Sequence, residues 1–379
     1  MKKKQALSLA LAALCCLGFS ACTHESVGEE YEVNAYRTTM QFHDDFKIMQ
    51  LTDLHFGIES NLQKQLNFVV AAIEEADPDL IILTGDNFMY ASKSIVYNLF
   101  NTLNETCKKL TDGHPTRLTK FAVTYGNHDN QGDYPRYYAN KTLLSFAAKD
   151  GEERATGKYA AFVDYEDDNL FGLTNYFIDL VDDRAKSVDE VDVKYRLHII
   201  DSNSYHFNGI KYDYDIIHAD QVAHVEKIQQ MATADKDYIG LAFFHIPLVE
   251  FEEAEAQYDA AADKTQVGQG AWKEDGLYHG YADNDVYEKL RGAGILAFHV
   301  GHDHQNHGEI LYNASSATVG EKAIFSFGVK STDQLYHFQD MMGYKTIALK
   351  DGMTQESFLS IGNINANYHN VTDRYEDYE

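Results

Sequence analysis

The stretch Leu80-Ile81-Ile82-Leu83-Thr84-Gly85-Asp86-Asn87 decides the fold, because a short apolar run ends there on an acidic side chain. Pro78 precedes the run and Gly85 closes it, a pattern that predicts a buried, parallel β-strand. Open α/β sheets bind their ligands beyond the carboxyl ends of such strands. We therefore expect Asp86 to lie at a functional edge of a sheet.

The same pattern, an apolar strand followed by a polar tip, occurs four more times along the chain. The other strands are predicted at residues 46–52, 120–124, 238–244 and 295–300. Because ligands gather at the carboxyl ends of the strands, we expect the tips to converge on Asp86. The tips carry residue types that bind metal ions, namely Asp53 and His55, Asn127 and His128, His245, and His302 with His304.

Helices and further strands fill the segments between these tips. Apolar residues at helical spacing predict one helix that begins with a capping box of Ser60 and Gln63, and another that Asp220 caps. A long acidic loop is expected over residues 250–285. Other helices are expected near residues 95–113 and 286–290, and other strands at 176–181 and 195–200 (as an antiparallel pair), 323–327 and 344–349.

The tips together offer carboxylate, imidazole and amide oxygen ligands. These suit Mn, Fe or Zn, whereas a thiolate site is excluded because no tip carries a cysteine. Two divalent or trivalent metal ions can be held, and Asp86 is the sensible bridge because its carboxylate has two oxygens. The first ion would be bound by Asp53, His55, Asp86 and His304, and the second by Asp86, Asn127, His245 and His302.

Five sequence blocks, in this order, resemble those of the calcineurin-like metallophosphoesterases. The resemblance spans about residues 45–306, and it implies an α/β fold, a four-layer αββα sandwich with two mixed sheets. It also implies phosphoester hydrolysis, in which water on the metal ions attacks phosphorus. The blocks are D-x-H at residues 53–55, G-D-N at 85–87, G-N-H-D at 126–129, the lone His245, and G-H-x-H at 301–304.

The resemblance also implies roles for the last two residues of the G-N-H-D block. His128 would stabilise the transferred phosphoryl group or protonate the leaving oxygen, and Asp129 would orient His128 through a hydrogen bond. The chain looks like the branch related to purple acid phosphatases, but Met89 stands where the coloured members have an iron-binding tyrosine. His55 would replace that ligand.

Three functions stay open on the sequence alone. Hydrolysis of phosphate monoesters is favoured, and hydrolysis of diesters, either cyclic nucleotides or lipid head groups, is the alternative among enzymes. The third is a phosphate-binding protein of the cell envelope without turnover. The two hydrolases would differ in the loops around the site, which are expected at residues 134–168 and 250–285.

Aromatic residues follow the G-N-H-D block closely. Tyr134, Arg136, Tyr137 and Tyr138 either line the mouth of a substrate site or pack ring against ring on a half-exposed helix. The second interpretation is favoured. The histidines outside the blocks are expected in the core or at the surface without a functional role, namely His206, His218, His224, His279 and His299.

The charge balance excludes one class of partner. The chain has 59 acidic and 32 basic residues and a formal net charge of −27. Nucleic acid is not expected as a partner, because its binding depends on basic residues that neutralise phosphates. A small phosphoester stays possible as a substrate, since salt screens charges beyond about 8–10 Å and two bound cations make the site locally positive.

The N-terminal residues predict export. A basic stretch, Lys2 to Lys4, precedes an apolar segment over residues 6–19, which is shorter than the roughly 20 residues of a membrane span. Residues 1–21 resemble a lipoprotein signal peptide, so that a lipid on Cys22 would hold the protein at the cell envelope; ordinary cleavage near Ala21 is the alternative. The expected plan is a tether and an entry segment over residues 22–42, the metallophosphoesterase domain over 43–350, and a C-terminal extension over 351–379 that can pack on it.

Overall fold

The helices and strands of the computed structural model follow most of the predicted apolar runs. The described residues are 33–57, 61–114, 116–147, 158–163, 170–183, 191–231, 237–282, 285–313, 322–337, 340–360 and 366–378, so the predicted signal peptide and Cys22 lie outside them. The strands are β1 (Arg37–Gln41), β2 (Phe46–Leu51), β3 (Leu80–Thr84), β4 (Lys120–Thr124), β5 (Tyr176–Val181), β6 (Val193–Ile199), β7 (Tyr205–Phe207), β8 (Tyr212–Tyr214), β9 (Ile239–Phe243), β10 (Gly268–Gln269), β11 (Ile295–Val300), β12 (Glu309–Asn313), β13 (Lys322–Phe327), β14 (Gly343–Leu349) and β15 (Ala366–Asn370). The helices are α1 (Leu62–Ala76), α2 (Lys93–Gly113), α3 (Arg136–Leu144), α4 (Ala219–Gln229), α5 (Glu250–Ala260), α6 (Val286–Gly292) and α7 (Gln355–Phe358).

The strand that ends at Asp86 lies in the middle of a parallel group. β3 pairs in parallel with β2 on one side and with β4 on the other, and all five of its residues are buried. β14 and β15 extend this sheet in antiparallel fashion, which gives the order β15-β14-β2-β3-β4. The predicted buried, parallel strand at residues 80–84 is confirmed.

A second, eight-stranded sheet supplies the other two tips. Its order is β1-β5-β6-β9-β11-β13-β12-β10, and β6, β9, β11 and β13 are mutually parallel neighbours. The predicted antiparallel pairing of the strands near residues 176–181 and 195–200 is confirmed in β5 and β6. Both sheets are therefore mixed.

The two sheets face each other across one apolar core, and helices cover their outer faces. Polar contacts also join them: Gln50 Nε2 donates to the Val300 carbonyl oxygen at 3.0 Å, and Thr124 Oγ1 donates to that of Ile200 at 2.8 Å. Helices α1 and α2 pack on the five-stranded sheet, whereas α4, α5 and α6 pack on the eight-stranded sheet. The predicted αββα fold class is confirmed.

Two helices begin at residues other than those predicted. Asn61 caps α1, because its side chain accepts the N–H of Lys64 at 3.2 Å; Ser60 lies outside the described residues. Helix α4 begins after His218, whose N–H donates to the Gln221 side chain at 2.8 Å. The predicted cap Asp220 was wrong, because its carboxylate instead accepts the N–H of Phe171 at 2.6 Å.

The predicted loop over residues 250–285 begins with a helix, α5. Its acidic residues are concentrated in the first turn, where the helix dipole favours negative charge. Phe251 and Ala254 are buried against the eight-stranded sheet and hold the helix there. The loop prediction was wrong here because the apolar face of this helix is short, so its helical spacing is not recognised among the many acidic residues.

Segments beyond both predicted ends of the domain contribute strands to the sheets. β1 pairs in parallel with β5, so residues 37–41 of the predicted tether belong to the sheet. β15, within the predicted C-terminal extension, pairs with β14 and completes the other sheet. Each is an edge strand with few apolar residues, and periodicity therefore does not indicate it. Within the described ranges, no helix is long and apolar enough to span a membrane.

A buried histidine between the sheets should make the fold sensitive to acid. His299 stacks on Phe243 at 4.7 Å, and neither ring nitrogen has a hydrogen-bond partner among the described residues. Burial, together with the charge of Lys345, lowers the pKa of His299 to about 3. The unfolded chain therefore binds a proton near pH 6.5 that the folded chain binds only near pH 3, so stability falls as the pH decreases through this window.

We expect His299→Phe to remove this part of the acid sensitivity. At pH 4 the histidine costs about 3 kcal/mol of folding free energy relative to pH 7, because one pKa unit corresponds to roughly 1.4 kcal/mol. Urea unfolding of both proteins at the two pH values measures the difference. An equal loss of stability in wild type and variant would show that His299 is not the group responsible.

Candidate metal centre

The predicted ligand residues converge at one edge of the fold, where β2, β3, β4, β9 and β11 end. Within each of two groups, one ligand atom per residue lies within 4.8 Å of the others. All of these residues, and Asn127, are buried. The first group is Asp53, His55 and His304, and the second is Asp86, His245 and His302.

Asp86 belongs to the second group and also approaches a histidine of the first group. Its Oδ2 is 3.3 Å from Nε2 of His55 and 3.2 Å from Nε2 of His245. In the first group, Nε2 of His304 lies 3.4 Å from Oδ1 of Asp53. One carboxylate is thus shared by histidines of both groups, which is the position expected of a bridging ligand.

Three of the histidines are oriented by backbone carbonyl groups. Nδ1 lies 3.0 Å from the Asp53 carbonyl oxygen in His55, 2.9 Å from that of Thr84 in His245, and 2.9 Å from that of Tyr336 in His304. A carbonyl only accepts, so in the neutral form of each ring Nδ1 carries the proton and Nε2 presents its lone pair to the centre. This tautomer is the one that binds a metal ion through Nε2.

The amide of Asn127 is oriented in the same sense. Its Nδ2 donates to the Tyr205 hydroxyl at 2.7 Å, and its Oδ1 has no hydrogen-bond partner in the described part of the chain. Oδ1 of Asp53 and Nε2 of His302 are buried and without a partner in the same way. Buried acceptors are normally satisfied, and cations would satisfy these. The donor set of carboxylate, imidazole and amide oxygen fits two ions of the Mn, Fe or Zn type.

The ligand turns have a strained backbone. Four ligand residues have positive φ, namely Asp53 (54°), His55 (50°), Asp86 (48°) and His302 (79°). Such strain costs on the order of 1–3 kcal/mol per residue and concentrates at functional sites. Gly85 has φ 95°, and a Cβ there would lie 2.6 Å from the His245 ring. The glycine of the G-D-N block is therefore required by the close approach of a ligand from another strand.

The charges of the centre depend on one another. Burial opposes ionisation of Asp53 and Asp86, but the neighbouring histidines outweigh it and hold both pKa values below their usual range. Burial also lowers the pKa of His302 to about 3 and that of His304 to about 4, so both rings are neutral near pH 7. His245 differs: the charge of Asp86 outweighs burial and raises its pKa to about 9. A cation that binds there must displace this proton.

The predicted hydrogen bond from Asp129 to His128 was wrong. The Asp129 carboxylate accepts the N–H groups of Phe88 and Gly126, each at 2.7 Å, and thereby joins the turn after β3 to the turn after β4. Among the described residues, Nδ1 of His128 has no hydrogen-bond partner. Burial and the charge of Asp86 raise the pKa of Asp129 to about 8. Asp129 acts on the shape of the two ligand turns.

His128 lies beside the ligands, in a short 3₁₀ turn. Its N–H donates to Oδ1 of Asp86 at 2.8 Å, and one ring nitrogen lies within 4.8 Å of ligand atoms of His55 and Asp86. Its side chain lines a cavity of about 410 Å³ together with Asp86, His302 and His304. The ring can thus reach a group bound in this cavity.

Two residues of the centre are not indicated by the five blocks. Lys330 is buried, and its Nζ donates to the Asp53 carbonyl oxygen at 2.7 Å and lies 3.3 Å from Nδ1 of His55. Burial lowers the pKa of Lys330 to about 8. Tyr205 positions Asn127 from a short hairpin. The sequence gives one sign that Lys330 lies near the strand tips, namely its position shortly after the predicted strand at residues 323–327.

The rim of the cavity comes only in part from the predicted loops. Glu274 and Tyr278 belong to the predicted segment 250–285, but none of the described residues of segment 134–168 lines the cavity. Arg136 is paired with Asp201, at 2.9 Å and 3.2 Å. Tyr138 stacks on Tyr134 and meets Tyr137 edge to face, which confirms the interpretation as ring packing on a helix.

Comparison with known proteins gives one family and several distant relatives. The model of the calcineurin-like phosphoesterase family matches residues 46–306. Phosphatase DCR2 of Saccharomyces cerevisiae is 26% identical over 307 residues, which are 75% of this chain and 48% of the yeast protein. The chain thus spans about half of the length of that relative.

Two further similarities are more distant. "Probable inactive purple acid phosphatase 14" of Arabidopsis thaliana is 24% identical over 300 residues, with 71% of this chain and 69% of the plant protein covered. A crystal structure of a dimetal phosphatase from Danio rerio has a TM-score of 0.44 at 12% identity, with 82% of this chain and 94% of that chain covered.

Proposed function

Since the chain belongs to the calcineurin-like phosphoesterase family, we propose that it hydrolyses phosphate monoesters at a centre of two metal ions. The observation that carries the proposal is the position of Asp86, whose Oδ2 lies 3.2–3.3 Å from the Nε2 atoms of His55 and His245. A shared carboxylate between two groups of buried ligands is suited to hold two cations at the short separation that phosphoryl transfer needs.

The seven ligand residues of this proposal would hold the ions as two sets. When bound, such a pair neutralises charge on the phosphoryl group and makes water a nucleophile near neutral pH. The carbonyl groups behind His55, His245 and His304 keep their Nε2 atoms directed at the centre. Tyr205 keeps Oδ1 of Asn127 directed at it. The ligands are therefore oriented in advance, which limits the reorganisation needed during the reaction.

His128 would give the leaving oxygen its proton. Its ring lines the cavity. Among the described residues, Nδ1 has no hydrogen-bond partner that would compete with the substrate for this ring. Imidazole is the side chain that most often performs such proton transfer in enzymes. Asp129 supports this arrangement indirectly, because it holds the turn that carries His128 against the turn after β3.

A direct assay tests the proposal. The purified protein, loaded in turn with Mn²⁺, Fe²⁺ and Zn²⁺, should hydrolyse 4-nitrophenyl phosphate faster than bis(4-nitrophenyl) phosphate, and a chelator should abolish the activity. Faster hydrolysis of the diester would make the protein a diesterase. Binding of phosphate without turnover of either ester would make it a non-catalytic phosphate-binding protein.

Location and partners are further parts of the proposal. The basic stretch, the short apolar segment and Cys22 support export and attachment to the cell envelope through a lipid. The net charge of −27 supports a small phosphoester, and not nucleic acid, as the partner. Cys22→Ser should release the protein from the membrane fraction of its host; retention there would contradict the lipid anchor.

A further inference from the structure

Three separate segments form the part of the cavity that lies beyond the ligands. Each contributes a tyrosine: Tyr214 from β8, Tyr278 from the segment after β10, and Tyr336 from the segment after β13. Tyr336 stacks on His304 at 4.3 Å, and Tyr214 meets His302 edge-on at 4.4 Å. Two of the three rings therefore adjoin ligand side chains directly, and the Tyr278 ring meets that of Tyr214 edge to face at 6.5 Å.

Each segment is also hydrogen-bonded to a turn that carries metal ligands. The Ser204 hydroxyl, at the base of the β7–β8 hairpin, donates to the Asn127 carbonyl at 2.9 Å. The N–H groups of Lys273 and Glu274 donate to Oδ1 of Asn306, at 2.8 Å and 3.1 Å. The Tyr336 carbonyl accepts from His304. The segments that carry the tyrosines are thus joined by hydrogen bonds to the ligand turns.

The exposed faces of these rings need an apolar partner. Tyr278 is 44% and Tyr336 is 50% exposed, although both lie at the cavity, and Leu335, which also lines the cavity, has a strained φ of 63°. Strain of this kind is retained at binding sites. Exposed aromatic rings gathered at one concave site mark a binding surface and differ from scattered surface residues.

The same cavity is unsuited to a leaving group that carries negative charge. Among the described residues that line it, none is lysine or arginine, and two are acids: Asp86, which belongs to the ligand groups, and Glu274, which does not. The Glu274 carboxylate accepts the N–H of Gln305 at 2.9 Å, which holds it at the cavity. A carboxylate or a second phosphate on the leaving group would meet the charge of Glu274, and no lysine or arginine among the described lining residues offsets that charge.

We propose that the leaving group of the natural substrate is an alcohol that bears an uncharged planar ring, which binds in this cavity against the rings of Tyr214, Tyr278 and Tyr336. This inference rests on the proposed phosphoesterase function and specifies its substrate. Aromatic rings attract a planar ring by stacking and by contact of edge with face. A cavity of about 410 Å³ has room for an aryl group or a nucleobase beside the phosphate.

Two matched pairs of esters test the inference on the metal-loaded protein. Adenosine 5′-monophosphate and ribose 5-phosphate share a primary alcohol and differ in the base; benzyl phosphate and ethyl phosphate differ in the aryl ring. We expect kcat/KM to be about 10- to 100-fold higher for the ring-bearing member of at least one pair, since stacking of a base on aromatic side chains has this magnitude. The pair with the larger ratio shows whether the ring is a nucleobase or an aryl group.

Variants of Tyr336 identify the side chain responsible. Tyr336→Leu should lower the preference about three- to tenfold with metal content unchanged, and Tyr336→Phe should keep it, because the ring is retained. Tyr137→Leu is the control, since Tyr137 is exposed to a similar degree (51%) but lies outside the cavity. Calorimetric titration measures the binding of adenosine or benzyl alcohol and does not depend on turnover. Tyr336→Leu should weaken this binding.

A substitution of Glu274 tests the exclusion of charged leaving groups separately. Glu274→Gln should raise kcat/KM for 3-phosphoglycerate, whose leaving group carries a carboxylate, towards that of ethyl phosphate. Equal kcat/KM within both ester pairs, or a preference that Tyr336→Leu leaves intact, would overturn the inference alone. Hydrolysis of none of the esters would overturn the proposed function and the substrate inference together.

Discussion

Asp86→Ala should empty both metal positions and lower kcat by about 10⁴-fold or more. The carboxylate lies 3.2–3.3 Å from histidines of both ligand groups, so each group loses a ligand when it is removed. Each ion contributes several kcal/mol to phosphoryl transfer, and roughly 1.4 kcal/mol corresponds to a factor of ten in rate. Elemental analysis of protein purified without chelator, together with the rate on 4-nitrophenyl phosphate, measures both effects.

Asp79→Ala is the matched control for this substitution. Asp79 is also buried and precedes the same strand at its opposite end, where its Oδ2 accepts the N–H of Lys47 at 2.8 Å. Its removal should reduce stability but leave the metal content intact. Retention of two metal equivalents by Asp86→Ala would refute a bridging role. Retention of one equivalent would make Asp86 a ligand of a single ion.

His128→Ala should lower kcat by about 10²–10⁴-fold while the metal content stays at the wild-type level. General acid catalysis has this magnitude, and the His128 side chain lines the cavity where the leaving group must lie. The loss should be larger for phenyl phosphate than for 4-nitrophenyl phosphate, because nitrophenolate leaves readily without a proton. Steady-state kinetics with both esters, together with elemental analysis, checks the prediction.

His307→Ala controls for the loss of an imidazole near the centre. His307 stacks on Tyr368 at 4.3 Å and does not line the cavity, so its removal should leave the dependence on the leaving group unchanged. Loss of metal from His128→Ala would assign His128 as a metal ligand beside His55 and Asp86, whose ligand atoms lie within 4.8 Å of a ring nitrogen of His128. An equal loss of rate for both esters would assign it to the phosphoryl group instead of the leaving oxygen.

The central strands were predictable because their apolar runs are long enough to be recognised locally. β3 and β4 begin and end within one residue of the prediction, and so does β11. The edge strands were not predictable, since β1 and β15 present only part of one face to the core. The helix α5 was missed for a similar reason, because Phe251 and Ala254 are its main apolar contacts with the sheet.

The ligand residues were predictable and the contacts around them were not. The ligands lie in five short blocks that can be recognised locally in the sequence. The hydrogen-bond partner of a carboxylate, in contrast, depends on which donors approach it in space. Asp129 shows this: its carboxylate accepts from backbone N–H groups of two turns, and the neighbouring His128 ring donates no hydrogen bond to it. Lys330 is the converse case, a cation that approaches Asp53 from 277 residues away.

Apolar strand runs and their polar tips determined, from the sequence alone, the α/β class, the parallel strands and the seven candidate ligand residues, because each of these depends on neighbours within a few positions. Only the tertiary structure decided that Asp129 joins two turns, that Lys330 reaches the Asp53 carbonyl group, and that three tyrosines from separate segments line the cavity. These depend on contacts between residues far apart in the chain, whose distances are set by the packing of the two sheets and not by any local pattern.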